Sequence, residues 1–292
     1  MKKLLTALSL IIIFILLLTN PALTLTGAKN GIELWYQAVL PALLPFMIIS
    51  NIIVKSDMSE YMSVITRPLT KLLRLPPACG YAVFAGLFFG YPACATVSVQ
   101  MYQKNLIDKN TANYCSCVFN NVSPAFLIGY VCIGILENEN KIPLVAGLFY
   151  IIILLSAILI RYTIFRKKQF EKTDIQATYQ SDKNIADSAI VTALYNVSKL
   201  CGYIVLFSII TVFVSKIPVP CTDYLCGLLE VTTGTGMIGP NIKLLIPLLC
   251  FGGICGIFQT FGMDTEGIIS RKQYILSKII SYVIAVLVCT II

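Results

Sequence analysis

The polar side chains that could do chemistry in this 292-residue chain are few, and they stand inside long apolar runs. Asn120, Asn121 and Ser123 come just before Pro124. Proline removes a backbone donor and frees a carbonyl one turn earlier, so two amides beside an opened backbone make a dense cluster of donors and acceptors. Such a cluster either receives a ligand or joins helix to helix by hydrogen bonds. Glu230 lies in the run Gly227-Leu228-Leu229-Glu230-Val231-Thr232-Thr233-Gly234. A carboxylate at that depth either serves a proton- or cation-coupled site or is capped by the N–H groups of a half-helix. Gln259 and Thr260 follow Phe251-Gly252-Gly253 and form the second half's counterpart of the asparagine cluster. The run Gly90-Tyr91-Pro92-Ala93-Cys94-Ala95-Thr96 is the expected tip of a hairpin. Small residues there allow close backbone approach, and freed N–H groups could meet an anion or a nucleoside-like polar ligand. The candidate substrate- or ion-binding set is therefore Gly90, Tyr91, Asn120, Asn121, Ser123, Glu230, Thr232, Thr233 and Gln259, with no catalytic or metal-ligating residue and no cofactor.

Other chemistries find little support. Histidine is absent, and neither HExxH nor GxxxxGK[ST] occurs, which removes metalloprotease, P-loop and His-based routes, so no enzyme is expected. The eleven cysteines form no CxxC pair and sit mostly in apolar stretches, where cysteine behaves as a small hydrophobe. Cys221 and Cys226 fall near an outer loop and are the one pair placed for a bridge.

The elements that must position these residues are membrane-spanning. Hydrophobic residues make up 57% of the chain and charged residues only 12%, about half the charged share of soluble domains. The net charge of +8 flanks apolar runs, with a cluster at Arg166, Lys167 and Lys168, instead of forming the basic face of a nucleic-acid binder. The apolar run after Lys2 and Lys3 extends to about Leu25, long enough to cross roughly 30 Å of hydrocarbon; an uncleaved first span is favoured over a cleaved signal peptide. Further apolar segments lie at 34–54, 78–102, 112–136, 142–165, 188–215, 222–240, 244–262 and 273–292. Several carry breakers: Gly86, Gly90 and Pro92; Ser123, Pro124 and Gly129; Gly227, Gly234, Gly236 and Gly239; Gly252, Gly253 and Gly256. Broken backbone at membrane depth persists only where protein or a wet cavity satisfies its polar groups, so these segments are expected to be re-entrant hairpins or unwound helices. Residues 58–73 carry Met58, Tyr61, Met62, Ile65, Leu69, Leu72 and Leu73 at helical spacing, which predicts an amphipathic helix in the interface or packed on the domain. The polar stretch 166–187, with Glu171, Lys172, Asp174, Asp182 and Lys183, is a linker too short to fold alone.

Basic residues favour the cytoplasmic side. With Lys2 and Lys3 inside, and with 78–102 and 222–240 as re-entrant hairpins, the inner loops hold nearly all the lysine and arginine, and the C-terminus falls outside. The expected fold is all-α: a multi-pass cell-membrane protein with two inverted-topology repeats, each with a re-entrant hairpin and a broken helix. Its parts are an N-terminal span (1–30), a first repeat (31–165), a cytoplasmic linker (166–187) and a second repeat (188–292).

Gly86 through Ala95, Asn120 to Pro124 with Phe126, Leu228-Leu229-Glu230 with Thr232 and Gly234, and Phe251-Gly252-Gly253 with Gln259 resemble the nucleoside-recognition or Gate-domain membrane proteins. Within them they are most similar to the sporulation integral membrane protein YlbJ family, over about residues 36–290. Cys94 stands where a glycine is expected, and Gly256-Ile257 where more polar residues are expected. The resemblance implies an endospore-forming bacterium and a membrane role in spore formation. A transporter-like path for a small polar solute or ion is then expected in the bilayer, the alternative being a non-transporting scaffold for envelope or coat assembly. Oligomers or sporulation membrane partners fit either, and nucleic acid fits neither.

Overall fold

The structure is a computed structural model that describes residues 2–56, 58–170 and 184–291. The linker residues Glu171, Lys172, Asp174, Asp182 and Lys183 lie outside the described residues.

All regular elements among the described residues are helical. Helix α1 (Lys2–Thr19) stops at Asn20, whose φ of −126° is not helical, and Pro21 restarts the chain as α2 (Pro21–Leu34). A π-helical turn at Trp35–Val39 leads directly into α3 (Leu40–Lys55). The sequence suggested an interruption between about 25 and 34, but Pro21–Lys55 is one continuous apolar helix. Gly27 and Gly31 do not end a span there. They let α2 lie against a later helix, α10, so closely that a Cβ on Gly27 would meet Ile209 Cα at 2.5 Å.

Residues 58–73 form two short helices instead of one, α4 (Ser59–Ser63) and α5 (Arg67–Leu72), with a 3-10 turn between them. Pro68, in the first turn of α5, can start a helix but cannot continue the previous one. The small polar face of this segment (Ser59, Ser63, Thr66, Thr70) is buried on the protein, while Met58, Tyr61, Ile65 and Leu72 point outward.

Next come α6 (Gly80–Phe88) and α7 (Ala93–Gln103), packed side by side across the turn at 89–92. Asp108 caps α8 (Lys109–Phe119) by accepting from Asn110 N at 2.8 Å and Thr111 N at 3.2 Å. Residues 120–123 are not helical, and Pro124 reopens a helix that continues as the π-helix Phe126–Ile135. Helices α9 (Ile142–Tyr162) and α10 (Ile185–Val214) are long and apolar. Helices α11 (Thr222–Leu229) and α12 (Val231–Ile238) meet so tightly that a Cβ on Gly234 would lie 1.9 Å from Gly227 Cα. Gly252, at φ +80°, separates α13 (Ile242–Phe251) from α14 (Gly253–Met263), and α15 (Arg271–Ile291) closes the fold.

Among the described residues, five helical stretches are long and apolar enough to cross a bilayer: Pro21–Lys55, Glu139–Tyr162, Ile185–Val214, Ile242–Met263 and Arg271–Ile291. The buried aromatics Tyr81, Tyr114, Phe119, Phe149, Phe165 and Tyr274 fill the middle, and leucines and isoleucines of α9, α10 and α15 face outward. No disulfide joins Cys221 and Cys226: both are free, and the buried Cys226 thiol donates to Thr211 O.

One end of the bundle gathers loops that are far apart in sequence. Lys104 Nζ donates to Val54 O at 2.7 Å, and Lys55 Nζ to Ser188 Oγ at 2.9 Å. Asn110 Nδ2 donates to Gln169 O at 3.2 Å, Arg161 Nε to Leu73 O at 3.0 Å, and Gln103 Nε2 to Glu266 Oε1 at 2.8 Å. Residues 103–110 and the start of the basic connector therefore share this end.

Candidate functional site

The two tight turns, the break after α8 and helix α14 converge on one cleft. Gly90 and Tyr91 reach it from the α6–α7 turn, Ser123 from the stretch after α8, Glu230 and Thr232 from the α11–α12 junction, and Gln259 from α14. Leu34, Val39, Leu43 and Ile204 wall the remaining side. The centres of water-sized spheres can occupy about 80 Å³ of it. A single water needs roughly 10–15 Å³ by the same measure, so several waters, or a solute of a few heavy atoms, fit.

Backbone geometry fixes each member. Gly90 sits at φ +84°, and a Cβ there would lie 2.8 Å from Ser123 N, so only glycine lets the 120–123 stretch come this close. The Tyr91 ring lies over α14, where a Cβ on Gly256 would be 3.2 Å away. Glu230 has extended backbone and caps α12: Thr232 N donates to Oε1 at 3.1 Å and Thr233 N to Oε2 at 2.6 Å. A carboxylate at a helix N-terminus is favoured both by these hydrogen bonds and by the helix dipole. Thr232 O in turn accepts from Tyr130 OH at 2.9 Å, tying the second turn to the π-helix of the first half. Gln259 Nε2 donates to Cys255 Sγ at 3.2 Å, a weak acceptor.

Asn120, Asn121 and Thr233 do not line the cleft. Thr233 contributes its backbone N–H to the Glu230 cap. Asn120 is fully buried behind the cleft; its amide donates to Thr260 Oγ1 at 2.7 Å and Tyr274 OH at 3.1 Å, and its Oδ1 accepts from Ala95 N at 3.4 Å. Asn121 Nδ2 donates back to Val118 O at 2.7 Å. The ammonium of Lys278, on α15, donates to Asn121 Oδ1 at 2.9 Å and to Asn120 O. The reason is one of satisfaction. A break before Pro124 strips carbonyls of their helical donors and buries two amides, so every one of these groups needs a partner: Lys278 donates to Asn120 O and Asn121 Oδ1, while Thr260 Oγ1 and Tyr274 OH accept from the Asn120 amide.

Sequence reasoning passed over Lys278, Tyr274 and Tyr130. Lys278 did carry a signal: it is an ionisable residue inside the apolar run 273–292, seven positions beyond Arg271, and its exposure is only 3%. The tyrosines carried none, since an aromatic ring in an apolar run reads as core.

The cleft offers a carboxylate, hydroxyls and an amide to a small polar guest. Among the described residues no three His, Cys, Asp or Glu side chains gather as a metal site. In comparisons with known proteins, the sporulation integral membrane protein YlbJ of Bacillus subtilis (strain 168) is 21% identical over 316 residues, covering 92% of this chain and 77% of that protein. The chain is a distant homologue of that protein. No protein-family model and no solved structure matches. Homology to YlbJ, itself named an integral membrane protein, together with the five long apolar helices, makes the chain a multi-pass integral membrane protein.

Proposed function

We propose that this chain is a sporulation-associated membrane protein of transporter-like, Gate-domain build, whose cleft admits a small polar solute or ion. The sporulation role rests on the name of its homologue. The permeation role rests on one observation above all: two turns, the break after α8 and helix α14, widely separated in sequence, bring Tyr91, Ser123, Glu230, Thr232 and Gln259 to one cleft.

Element order supports two repeats of opposite orientation. The first half runs α3, the α6–α7 pair, the broken α8 with its π-helical continuation, and α9. The second runs α10, the α11–α12 pair, the broken α13–α14, and α15. At 1.5 Å per residue, helices of 8 residues such as α11 and α12 reach only about 12 Å, far short of a roughly 30 Å core, which favours re-entrant hairpins. With both pairs re-entrant, the loops that touch through Lys104, Lys55, Asn110 and Arg161 all fall on the basic, cytoplasmic side. The N-terminus is then cytoplasmic and the C-terminus extracytoplasmic. Helix pairs and broken helices meeting at mid-depth are the usual architecture of a secondary-transport site.

A scaffold role is the second reading, favoured by how fully Asn120, Asn121 and Glu230 are already hydrogen-bonded. The two separate in reconstituted vesicles loaded with a defined mixture of nucleosides, amino acids and inorganic ions. Selective release of one class, abolished by Glu230→Gln in folded protein, supports permeation. No release above protein-free vesicles, with sporulation intact in cells carrying Glu230→Gln, supports the scaffold.

A further inference from the structure

Lys278 is a buried cation with no solute to explain it. It stands on α15 with 3% exposure, and its ammonium meets only uncharged oxygen: the main-chain carbonyl of Asn120 and the side-chain carbonyl of Asn121 at 2.9 Å. The Tyr274 ring centroid lies 5.5 Å away and adds its negative face. These oxygens sit just past the C-terminal end of α8, where the helix dipole is negative and unwound carbonyls have lost their N–H partners. A half-helix C-terminus with freed carbonyl and amide oxygens is how membrane transporters hold a monovalent coupling cation.

We infer that the Lys278 ammonium fills a monovalent-cation site at the end of α8, so that the chain carries its own tethered cation there. The break at 120–123 is then held open without Na+ or K+, and any path through the cleft is not driven by an ion bound at this point. The last clause rests on the transporter-like reading; the site itself does not.

The test uses full-length protein purified in detergent, with thermal unfolding followed by a thiol-reactive dye on the buried cysteines. Wild type and Lys278→Ala are compared in NaCl, KCl, LiCl, methylammonium chloride and choline chloride at equal ionic strength. Wild type is expected to melt at the same temperature in all five salts. Lys278→Ala is expected to melt several degrees lower in choline and to regain at least half of that loss in one or more of the small cations. Lys278→Met, which fills the space without charge, is expected to be destabilised in every salt alike. The inference is overturned if folded Lys278→Ala is indifferent to the cation, if it cannot be recovered with any small cation present, or if Lys278→Met matches wild type. No flux is measured, so failure here leaves the permeation proposal standing, and loss of that proposal leaves this one.

Discussion

Glu230 joins the fold to the cleft, and its removal gives a graded prediction. Its two oxygens accept from Thr232 N at 3.1 Å and Thr233 N at 2.6 Å, and the side chain is 4% exposed. Glu230→Ala strands both N–H groups. Each buried, unpaired donor costs about 1–3 kcal/mol, so the variant loses roughly 2–6 kcal/mol. Glu230→Gln keeps one oxygen and one of the two bonds and gives up the charge, for a loss of about 1–2 kcal/mol. At about 2–4 °C per kcal/mol for a chain of this size class, Gln lowers the midpoint by roughly 2–8 °C and Ala by more. Nine buried cysteines make the dye-based melt in detergent a direct readout, once the exposed Cys221 and half-buried Cys201 are replaced. Ala indistinguishable from wild type, or Gln as damaging as Ala, would refute the capping role. A midpoint unchanged in both would also mean that cleft water replaces the carboxylate without cost.

Further outcomes follow from the same contacts. Gly234→Ala puts a Cβ 1.9 Å from Gly227 Cα, an overpacking that costs about 3 kcal/mol or more; loss of a monodisperse size-exclusion peak is expected. Tyr274→Phe removes the hydroxyl shared by Asn120 and Thr260, and a destabilisation of about 1–2 kcal/mol should appear in the melt. Tyr130→Phe removes one donor to Thr232 O, which keeps Thr235 Oγ1, and should cost less, about 0.5–1.5 kcal/mol. Cysteines introduced at Lys109 and Lys168 should react with an impermeant reagent from the same face of sealed vesicles; reaction from opposite faces would break the proposed topology.

Much of this was legible in the residues. Prolines and glycines marked the turn at Gly90–Pro92 and the breaks at Pro124 and Gly252, because few backbones tolerate them inside a helix. Glu230 as a helix cap was one of two readings of a carboxylate between glycines, and its cleft-facing side leaves the other open. Hidden from view were contacts between distant segments. Gly27 and Gly31 look like loop residues until α10 is laid against them, and Asn120 and Asn121 look like ligand groups until Lys278 and Tyr274 arrive from α15. The small polar face of 58–73 packs inward, because Ser63 and Thr66 fit against Gly80, together with Leu73, while Met58, Tyr61, Ile65 and Leu72 are left outside.

The most direct measurement compares water access at two neighbouring positions. In a background with Cys201 and Cys221 replaced, Ser123→Cys lies on the cleft and Asn121→Cys lies behind it, beside Lys278. A small impermeant thiol reagent applied to sealed vesicles is expected to modify position 123 from at least one side and to leave position 121 unmodified. A cysteine at 123 as inert as one at 121, from both sides and in folded protein, would show a closed interior and contradict a permeation role.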